Sequence, residues 1–289
     1  MQPLVSIVIP CYNGALYLPA AIESCLSQTY GNIEIIVVDD CSPDNCAQIA
    51  ADYSRKDSRL RLISHKKNGG VARAFNTGFN SAKGDFMTRL AQDDFFERNA
   101  IEEMVRFLQR HSEIGLVYCD MNLVDANGKV IAVKKAPEPD KIFAKGHNKV
   151  GLCVMWRRTV WEQTGGFNPQ WDAAEDYDFW LRAAKRFKFG HYSDSVPFAF
   201  RSHEQMGSKV FAVKQEIAHA RLFAEHGNDW WSARKLLGSS YFNVGYIYRT
   251  QKKYLLSVQH LLKSFVFWPF QIKAPKCFVG LILDTLRSR

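Results

Sequence analysis

The strongest constraint on the fold is an alternation that runs through the first 94 residues. Four short runs rich in apolar and β-branched residues are separated by amphipathic stretches of helical length. The runs cover residues 5–9, 33–38, 60–64 and 85–90. This order predicts β-α-β-α-β-α-β, and so an α/β fold with a Rossmann-like, mostly parallel sheet that has helices on both faces.

Local signals suggest where the elements begin and end. Ser42 is the predicted N-cap of a helix with Pro43 at its first position, and a Gly69-Gly70 turn precedes a helix over residues 71–82. Beyond residue 94 we expect a helix over 99–110, a strand over 116–119 and a tight hairpin turn at Asn127-Gly128. The second half is therefore predicted to be mixed, with antiparallel pairing.

The organisation predicted from these patterns has two parts. Residues 1–206 form the catalytic domain, and residues 207–289 form a basic, amphipathic, helical C-terminal region. In that region a helical hairpin of the tetratricopeptide type and a generic helical pair remain open alternatives. Residues 136–148 lack a clear period and contain Pro, Lys and Gly, so they are predicted to form a loop that serves as a substrate lid.

Composition indicates the cellular compartment in which the protein is expected. No apolar stretch is long enough to span a bilayer, and the first residues lack the basic region and cleavage site of a secretion signal. The seven cysteines include no C-x-x-C pair and lie mostly within predicted strands and helices, as reduced structural thiols do. We therefore expect a cytoplasmic protein.

The net charge of +9 is concentrated at the C-terminal end. From Arg249 to Arg289 eight Lys or Arg face only Asp284, which leaves about +2 for the preceding residues. These charges alternate with apolar and aromatic residues, and no nucleic-acid motif accompanies them. The predicted partner of this region is an anionic membrane surface, with the protein peripheral at the cytoplasmic face, and not a nucleic acid.

Three polar clusters follow predicted strands: Pro10-Cys11-Tyr12-Asn13, Asp39-Asp40 and Gln92-Asp93-Asp94. Open α/β sheets bind ligands at the carboxyl ends of their strands. The first cluster lacks the G-x-G-x-x-G of a dinucleotide site, so a diphosphate needs another counter-charge. Carboxylates provide one by holding Mg²⁺ or Mn²⁺. Alternatively, Asp93-Asp94 caps a helix that starts near Glu97.

Five segments, in order, carry a family resemblance: VSIVIPCYNG, EIIVVDDCSPD, NGGVARAFNTG, GDFMTRLAQDD and GGFNPQWDAAEDYDFWLR. They resemble the successive signatures of the inverting family 2 glycosyltransferases of the GT-A fold, over residues 4–205. The resemblance implies a nucleotide-sugar donor, with uridine favoured, and a saccharide or lipid-linked acceptor. It does not identify the sugar.

The same resemblance assigns residues to the donor. It implies that Pro10, Tyr12 and Asn13 border the nucleotide and that Asp40 accepts hydrogen bonds from the uracil or ribose. Ordinary turn chemistry at a strand end is the alternative. Asn68 and Gly69 match a loop that borders the donor. Arg73 is the nearest cation for the diphosphate, although the family more often has Arg where Phe75 stands.

For the metal, the resemblance implies Asp94 as the direct ligand, with Asp93 close to the ribose or the metal. The cofactor is Mn²⁺ or Mg²⁺. A further acidic residue is common in the family where this chain has Ala91, so one contact is missing. His203 matches a histidine that closes the metal shell in many relatives, although a single histidine is more often structural.

On the acceptor side, Asp176 of the Glu175-Asp176 pair matches the general base of the family. These acidic residues also suit the N-terminus of a helix, and the two roles are compatible. Trp156, Trp171 and Trp180 flank this half of the site, and core packing explains most such tryptophans. Trp171 is the best candidate to stack on an acceptor sugar.

The sequence disfavours two other functions and leaves a third as the main alternative. A processive polymerase is disfavoured because the chain has neither a Gln-x-x-Arg-Trp motif nor membrane helices. A nucleotidyltransferase needs a basic, Gly-rich loop after the first strand, which is absent. A degenerate nucleotide-sugar-binding or scaffold protein is the main alternative, with Ala91 as a possible sign of decay. A transferase that adds one sugar per encounter is favoured.

Overall fold

The computed structural model describes residues 2–142, 148–171, 173–203, 212–226 and 230–269. The chain divides into two compact units, Met1–Ile142 with Lys149–Met206, and Phe143–Asn148 with Gly207–Arg289. Most of the described residues of the second unit are helical.

The first unit alternates strands and helices in the predicted order. Its strands are β1 (Val5–Cys11), β2 (Ile33–Asp39), β3 (Leu60–Ser64), β4 (Phe86–Arg89), β5 (Phe95–Phe96), β6 (Ile114–Cys119), β7 (Met121–Val124), β8 (Val130–Lys134), β9 (Val154–Arg157), β10 (Lys188–Tyr192) and β11 (Phe198–Arg201). Its helices are α1 (Leu18–Leu26), α2 (Cys46–Lys56), α3 (Val71–Ser81), α4 (Ala100–Arg110), α5 (Arg158–Thr164) and α6 (Glu175–Ala183).

The main sheet has seven strands in the order β10-β6-β9-β4-β1-β2-β3. β9 runs antiparallel to both of its neighbours, whereas the other strand pairs of this sheet are parallel. A second sheet has the order β5-β11-β7-β8, and β7 pairs antiparallel with β8 across the Asn127-Gly128 turn. The predictions of a mostly parallel sheet, a mixed second half and this hairpin are confirmed.

The core explains why the strands lie where they do. β1 and β2 are almost wholly buried and contribute Val, Ile and Cys side chains to one large apolar cluster. Helix α3 lies close to this sheet because Gly78 has no side chain: a Cβ there would lie 2.3 Å from Cγ1 of Val8. The close approach brings the loop before α3 next to the end of β2.

One predicted helix start is wrong, and one alternative role of Asp93-Asp94 is excluded, whereas the helix predicted over residues 99–110 is confirmed. Helix α2 begins at Cys46 with Asn45 at its N-cap, so Ser42 does not cap it. Ser42 instead accepts a hydrogen bond from the backbone N–H of Asn13 and donates one to the carbonyl of Cys11. After Asp94 the chain enters strand β5, and α4 starts at Ala100, so no helix begins near Glu97 for Asp93-Asp94 to cap.

The second unit contains α7 (Ala212–His226), α8 (Trp230–Thr250) and α9 (Tyr254–Phe267). Helices α8 and α9 meet at small residues: Ser257 donates a hydrogen bond to the carbonyl of Gly245, and a Cβ at Gly245 would lie 2.9 Å from Leu261. Across the described ranges, no helix combines the length and hydropathy needed to cross a membrane. Residues 143–147 of the predicted lid and residues 270–289 of the basic tail lie outside the described residues.

Candidate active site

The polar clusters lie at one edge of the main sheet, because β1, β2 and β4 are parallel neighbours that end side by side. Cys11 at the end of β1 pairs in register with Asp39 at the end of β2, and Val8 pairs with Arg89 at the end of β4. Pro10, Tyr12 and Asn13 therefore lie between the acidic residues of the two neighbouring strands. This part of the site follows directly from the topology.

The loop after β1 is fixed by Gln92. The side-chain amide of Gln92 accepts a hydrogen bond from the backbone N–H of Tyr12 at 2.8 Å and donates one to the carbonyl of Tyr12 at 3.0 Å. Gly14 makes room for it, since a Cβ there would lie 2.1 Å from Cδ of Gln92. The ring of Tyr12 remains 48% exposed and is free to meet a planar ligand.

Asp40 is buried and engaged within the protein. Its carboxylate accepts hydrogen bonds from the backbone N–H groups of Gly69 and Gly70 at 2.7–3.0 Å, and Nδ1 of His65 lies 2.7 Å from Oδ1. His65 also contacts Oγ1 of Thr77 through Nε2 at 2.9 Å. Asp40 therefore holds the loop before α3, and its contact with a nucleobase or ribose stays a prediction.

The same loop contains the remaining donor-side residues. Asn68 is exposed, and Gly70 has φ of +85°, a conformation that favours glycine. Arg73 is exposed at the start of α3, with Nη1 3.4 Å from the carbonyl of Gly69. Its side chain thus lies along the loop that Asp40 holds. Its contact with a diphosphate stays a prediction.

Asp94 differs from Asp40 in its hydrogen bonding. It is 1% exposed, and its Oδ1 accepts a hydrogen bond from the backbone N–H of Arg201 at 2.9 Å. Within the described part of the chain, its buried Oδ2 has no hydrogen-bond partner. Burial and then the nearby charge of Asp93 raise the pKa of the Asp94 carboxyl well above its usual range. A carboxylate oxygen held in this way is suited to a cation.

Asp93 and His203 form a pair beside Asp94. Nε2 of His203 lies 2.9 Å from Oδ2 of Asp93, and the ring of His203 lies 4.8 Å from the ring of Tyr17. The structure thus brings together the three residues predicted at the metal. Among the described residues, no three His, Cys, Asp or Glu side chains are arranged as a complete cation site.

These residues nevertheless fit a cation that is shared with a diphosphate. Such a cation needs only one or two protein carboxylates, since phosphate oxygens and water complete its shell. The buried Oδ2 of Asp94 supplies one hard ligand without breaking a hydrogen bond. The carboxylate of Asp93 and the imidazole of His203 are the nearest additional donors, and both suit Mn²⁺.

Arg201 organises this acidic pair and was not recognised from the sequence. Its backbone N–H bonds Asp94, its Nε donates to the carbonyl of Asp93 at 2.9 Å, and its Nη1 donates to the carbonyl of Ala126 at 2.7 Å. The guanidinium also lies over the rings of Tyr17 and Phe95. Strand β11 thereby fixes residues 93–94 against the β7–β8 turn.

Asp176 lies in the first turn of α6, which also contains Glu175 and Asp178. Its Oδ1 accepts a hydrogen bond from the backbone N–H of Tyr177, and its Oδ2 lies 3.4 Å from Nη1 of Arg89. The helix-terminus role and the predicted role as a base are thus compatible in the structure. Arg89 was missed, although a charged residue that ends an apolar strand was visible in the sequence.

The three tryptophans of this half differ in environment. Trp156 and Trp180 are fully buried and pack edge to face at 5.5 Å, within a block that also contains Phe79 and Phe179. Both are core residues. Trp171 ends a short 3-10 turn before α6 and is partly exposed. It remains the candidate to stack on an acceptor sugar.

Comparison with known proteins decides the family. Residues 6–164, more than half of the chain, match the sequence model described as "Glycosyl transferase family 2". The chain belongs to glycosyltransferase family 2. An uncharacterised glycosyltransferase of Rickettsia felis is 34% identical over 228 residues, which cover 74% of this chain and 36% of that protein. The chain spans only about a third of the length of the first curated relatives it matches.

Solved structures of similar proteins confirm the GT-A fold. TarS residues 1–349 of S. aureus, in complex with UDP-GlcNAc, matches 91% of this chain with a TM-score of 0.66 and 19% identity, over 81% of that chain. The mannosyltransferase PcManGT of Pyrobaculum calidifontis, in complex with GDP-Man and Mn²⁺, matches 100% of this chain with a TM-score of 0.63 and 16% identity, over 88% of that chain. At these identities the likeness establishes the fold.

Proposed function

We propose that this member of family 2 transfers a single sugar from a nucleotide-diphosphate sugar to a saccharide or lipid-linked acceptor, with inversion and with a divalent cation. A UDP-sugar is the favoured donor, and a cell-surface polysaccharide or glycoconjugate is the favoured product. The observation that carries the proposal is the buried, unpartnered carboxylate oxygen of Asp94 beside the Asp93–His203 pair, among the described residues.

The donor end of the proposal is supported by the loops that follow β1 and β3. Tyr12 presents an exposed ring next to a backbone that Gln92 holds in place, so the ring is available to a nucleobase without a change of the loop. The loop at Gly69 and Gly70 is fixed by Asp40. Preorganised loops lower the conformational entropy that donor binding costs. A related structure was solved with UDP-GlcNAc, which supports the preference for uridine.

The chemical step requires a base, a leaving group and a way to stabilise its charge. Asp176 takes the proton of the acceptor hydroxyl, the acceptor oxygen attacks the anomeric carbon, and the bond from that carbon to the diphosphate breaks in line with the attack. Single displacement gives inversion. When bound, the cation held by Asp94, with Asp93 and His203 nearby, supplies charge stabilisation for the diphosphate.

A donor screen tests this proposal. Release of nucleoside diphosphate from a panel of UDP-, GDP- and ADP-sugars is measured with Mn²⁺ or Mg²⁺, for the wild type, Asp94→Asn and Asp176→Asn. We expect wild-type release from at least one UDP-sugar and a loss of at least about 10²-fold in each variant, because Asp176 is the proposed base and Asp94 the proposed cation ligand. Asp52→Asn, on the exposed surface of α2, is the matched control.

Two results would contradict the proposal. Wild-type release that survives both substitutions would remove the site assignment. Tight binding of a nucleotide-sugar without any transfer or hydrolysis would favour the alternative, a degenerate protein that binds nucleotide-sugars or scaffolds other enzymes. Calorimetric binding of the nucleotide-sugar, measured beside its turnover, distinguishes the two outcomes.

The acceptor proposal includes contact with an anionic membrane surface at the cytoplasmic face. Helix α9 supports it, because its buried positions include Ser257 and Ser264 whereas Leu255, Leu262 and Val266 are more than half exposed. Leucines on the outer face of a helix suit an interfacial helix. Sedimentation with vesicles of phosphatidylglycerol tests this contact. We expect binding that Leu255→Asp with Leu262→Asp abolishes, and equal binding of both proteins would contradict it.

A further inference from the structure

The candidate active site contains a buried arginine, Arg89, to which no role was assigned from the sequence. Arg89 is the last residue of β4, in the middle of the main sheet, and its side chain is 9% exposed. Its backbone is fixed because it pairs in register with Val8 of β1. A guanidinium that is anchored at the centre of a sheet has a well-defined position. It is therefore suited to orienting another group.

The group that Arg89 meets is Asp176. Nη1 of Arg89 lies 3.4 Å from Oδ2 of Asp176, whose side chain is 13% exposed. The other carboxylate oxygen, Oδ1, accepts a hydrogen bond from the backbone N–H of Tyr177. The two oxygens thus have different partners, a side chain of the sheet for Oδ2 and the backbone of the helix for Oδ1. This arrangement limits the rotation of the carboxylate.

The guanidinium rests on an aromatic support. It lies 5.1 Å from the centroid of Phe75 on α3, and the ring of Phe75 packs against Phe167 at 5.4 Å. Phe167 in turn packs against Phe179, which lies one turn after Asp176 on α6. The cation and the helix that bears Asp176 therefore rest on the same aromatic block. A cation over a desolvated aromatic face is stabilised by the ring.

We propose that Arg89 is the positioning residue of Asp176: it holds the carboxylate in the orientation that accepts the acceptor proton. This inference rests on the proposed function, in which Asp176 is the base. The contact at 3.4 Å is long for a hydrogen bond, so it orients the carboxylate without occupying it fully. Arg89 acts through Asp176 and does not itself react.

A double-mutant cycle tests the proposal. Arg89→Gln, Arg89→Lys, Asp176→Asn and the double variant Arg89→Gln with Asp176→Asn are compared with the wild type, on the nucleotide-sugar that the wild type turns over. We expect Arg89→Gln to lower kcat about 10²-fold with donor KM unchanged within about two-fold, because misplacing a catalytic group costs about this much. Arg89→Lys keeps the charge and should recover part of the rate. In the Asp176→Asn background, Arg89→Gln should cost nothing further.

A binding measurement, a control variant and crystal structures complete the experiment. Binding of UDP with Mn²⁺, measured by calorimetry, should not weaken in any of the variants. The positive charge of Arg89 also acts on Asp94, so its removal favours a bound cation. Arg106→Gln, which removes an arginine from an exposed ion pair on α4, is the matched control and should match the wild type. In crystal structures, the Asp176 carboxylate should move by about 1 Å or more in Arg89→Gln, the scale at which misplacement affects rate.

Several results would overturn the inference. The first is a kcat of Arg89→Gln within about two-fold of the wild-type value. The second is a double variant whose loss of kcat equals the product of the losses of Arg89→Gln and Asp176→Asn. A loss confined to donor KM and UDP affinity would mean that Arg89 contacts the donor. If the wild type turns over no nucleotide-sugar, the proposed function fails, and the crystal structures alone then decide whether Arg89 orients Asp176.

Discussion

Asp40 and Asp94 are two carboxylates that look alike in the sequence and differ in the structure. Each follows a strand of the same sheet, at the same edge, and each is almost completely buried. Asp40 accepts hydrogen bonds from the backbone N–H groups of Gly69 and Gly70, and Nδ1 of His65 lies within hydrogen-bond distance of it. Asp94 receives one backbone N–H at Oδ1, whereas its Oδ2 has no hydrogen-bond partner in the described structure.

The difference indicates a division of labour. A buried carboxylate that is fully hydrogen-bonded stabilises the structure around it, whereas a buried oxygen without a partner costs free energy unless a ligand compensates it. We therefore propose that Asp40 serves mainly to hold the loop before α3 and that Asp94 serves to bind a ligand. The pKa of Asp94 supports this proposal. Burial raises it well above the usual range of an aspartic acid, so the charged carboxylate is unfavourable unless a ligand compensates its charge. The first three of the following predictions test this comparison, and the fourth tests the loop after β1.

Metal removal should have the largest effect. If Asp94 serves a cation, chelation with EDTA should abolish nucleoside diphosphate release, by on the order of 10³-fold or more, because a cation supplies several kcal/mol of charge stabilisation. Addition of Mn²⁺ in excess of the chelator should restore the rate. Full activity after dialysis against EDTA, in buffers shown to be free of metal, would contradict this role.

The substitution Asp94→Asn should separate activity from stability. We expect a loss of activity on the order of 10³-fold, since the neutral amide is a poor cation ligand. The folded-state pKa of Asp94 is raised, so without a bound cation this group destabilises the fold as pH rises from about 4, its pKa in the unfolded chain, through its folded-state pKa. The asparagine variant should lack this pH dependence. The free energy of unfolding at pH 7 should be unchanged or raised by about 1 kcal/mol, as measured by urea denaturation.

The substitution Asp40→Ala, unlike Asp94→Asn, should lower the free energy of unfolding. It leaves the N–H groups of Gly69 and Gly70 without their acceptor, so we expect the free energy of unfolding to fall by about 3 kcal/mol. Urea denaturation measures this, with Asp52→Ala on the exposed surface of α2 as the control. A variant as stable as the wild type would mean that the loop does not depend on Asp40. In that case the comparison with Asp94 would fail.

The substitution Gly14→Ala should have the smallest effect. The new Cβ would lie within 2.5 Å of three side-chain atoms of Gln92, which would have to move and release the backbone of Tyr12. We expect donor KM to rise about ten-fold with a small change in kcat, because the loop loses its preorganisation. Gly31→Ala is the control, since a Cβ there meets no atom within 4 Å. Equal donor KM values for the two variants would exclude the proposed role of Gln92.

Much of this arrangement was predictable because parallel topology places strand ends together. The bounds of β3 and the hairpin at Asn127-Gly128 follow from local patterns, which the structure confirms. Ser42 failed as a helix cap because its hydroxyl bonds the neighbouring loop after β1 instead. Such a contact between segments far apart in the chain leaves no local signal.

The unpredicted part of the site consists of residues that act on other residues. Arg89, Arg201 and His65 each contact a predicted side chain. None of them had a role assigned from the sequence, although Arg89 lies inside the segment GDFMTRLAQDD. Their partners lie 25 to 107 residues away along the chain, so spacing could not reveal them. The sequence predicted the groups that are proposed to meet a ligand, and it gave no signal for most of the residues that contact those groups.

The most direct test of the assignment of Asp94 is Mn²⁺ binding, followed by electron paramagnetic resonance, since free Mn²⁺ gives a strong signal that weakens on binding. Wild-type protein, Asp94→Asn and Asp40→Asn are titrated with Mn²⁺ at a UDP concentration that saturates each of them, so that a change in UDP affinity does not alter the number of ions bound. We predict that the wild type and Asp40→Asn take up one ion per chain and that Asp94→Asn loses this site. Uptake by Asp94→Asn equal to that of the wild type would contradict the account.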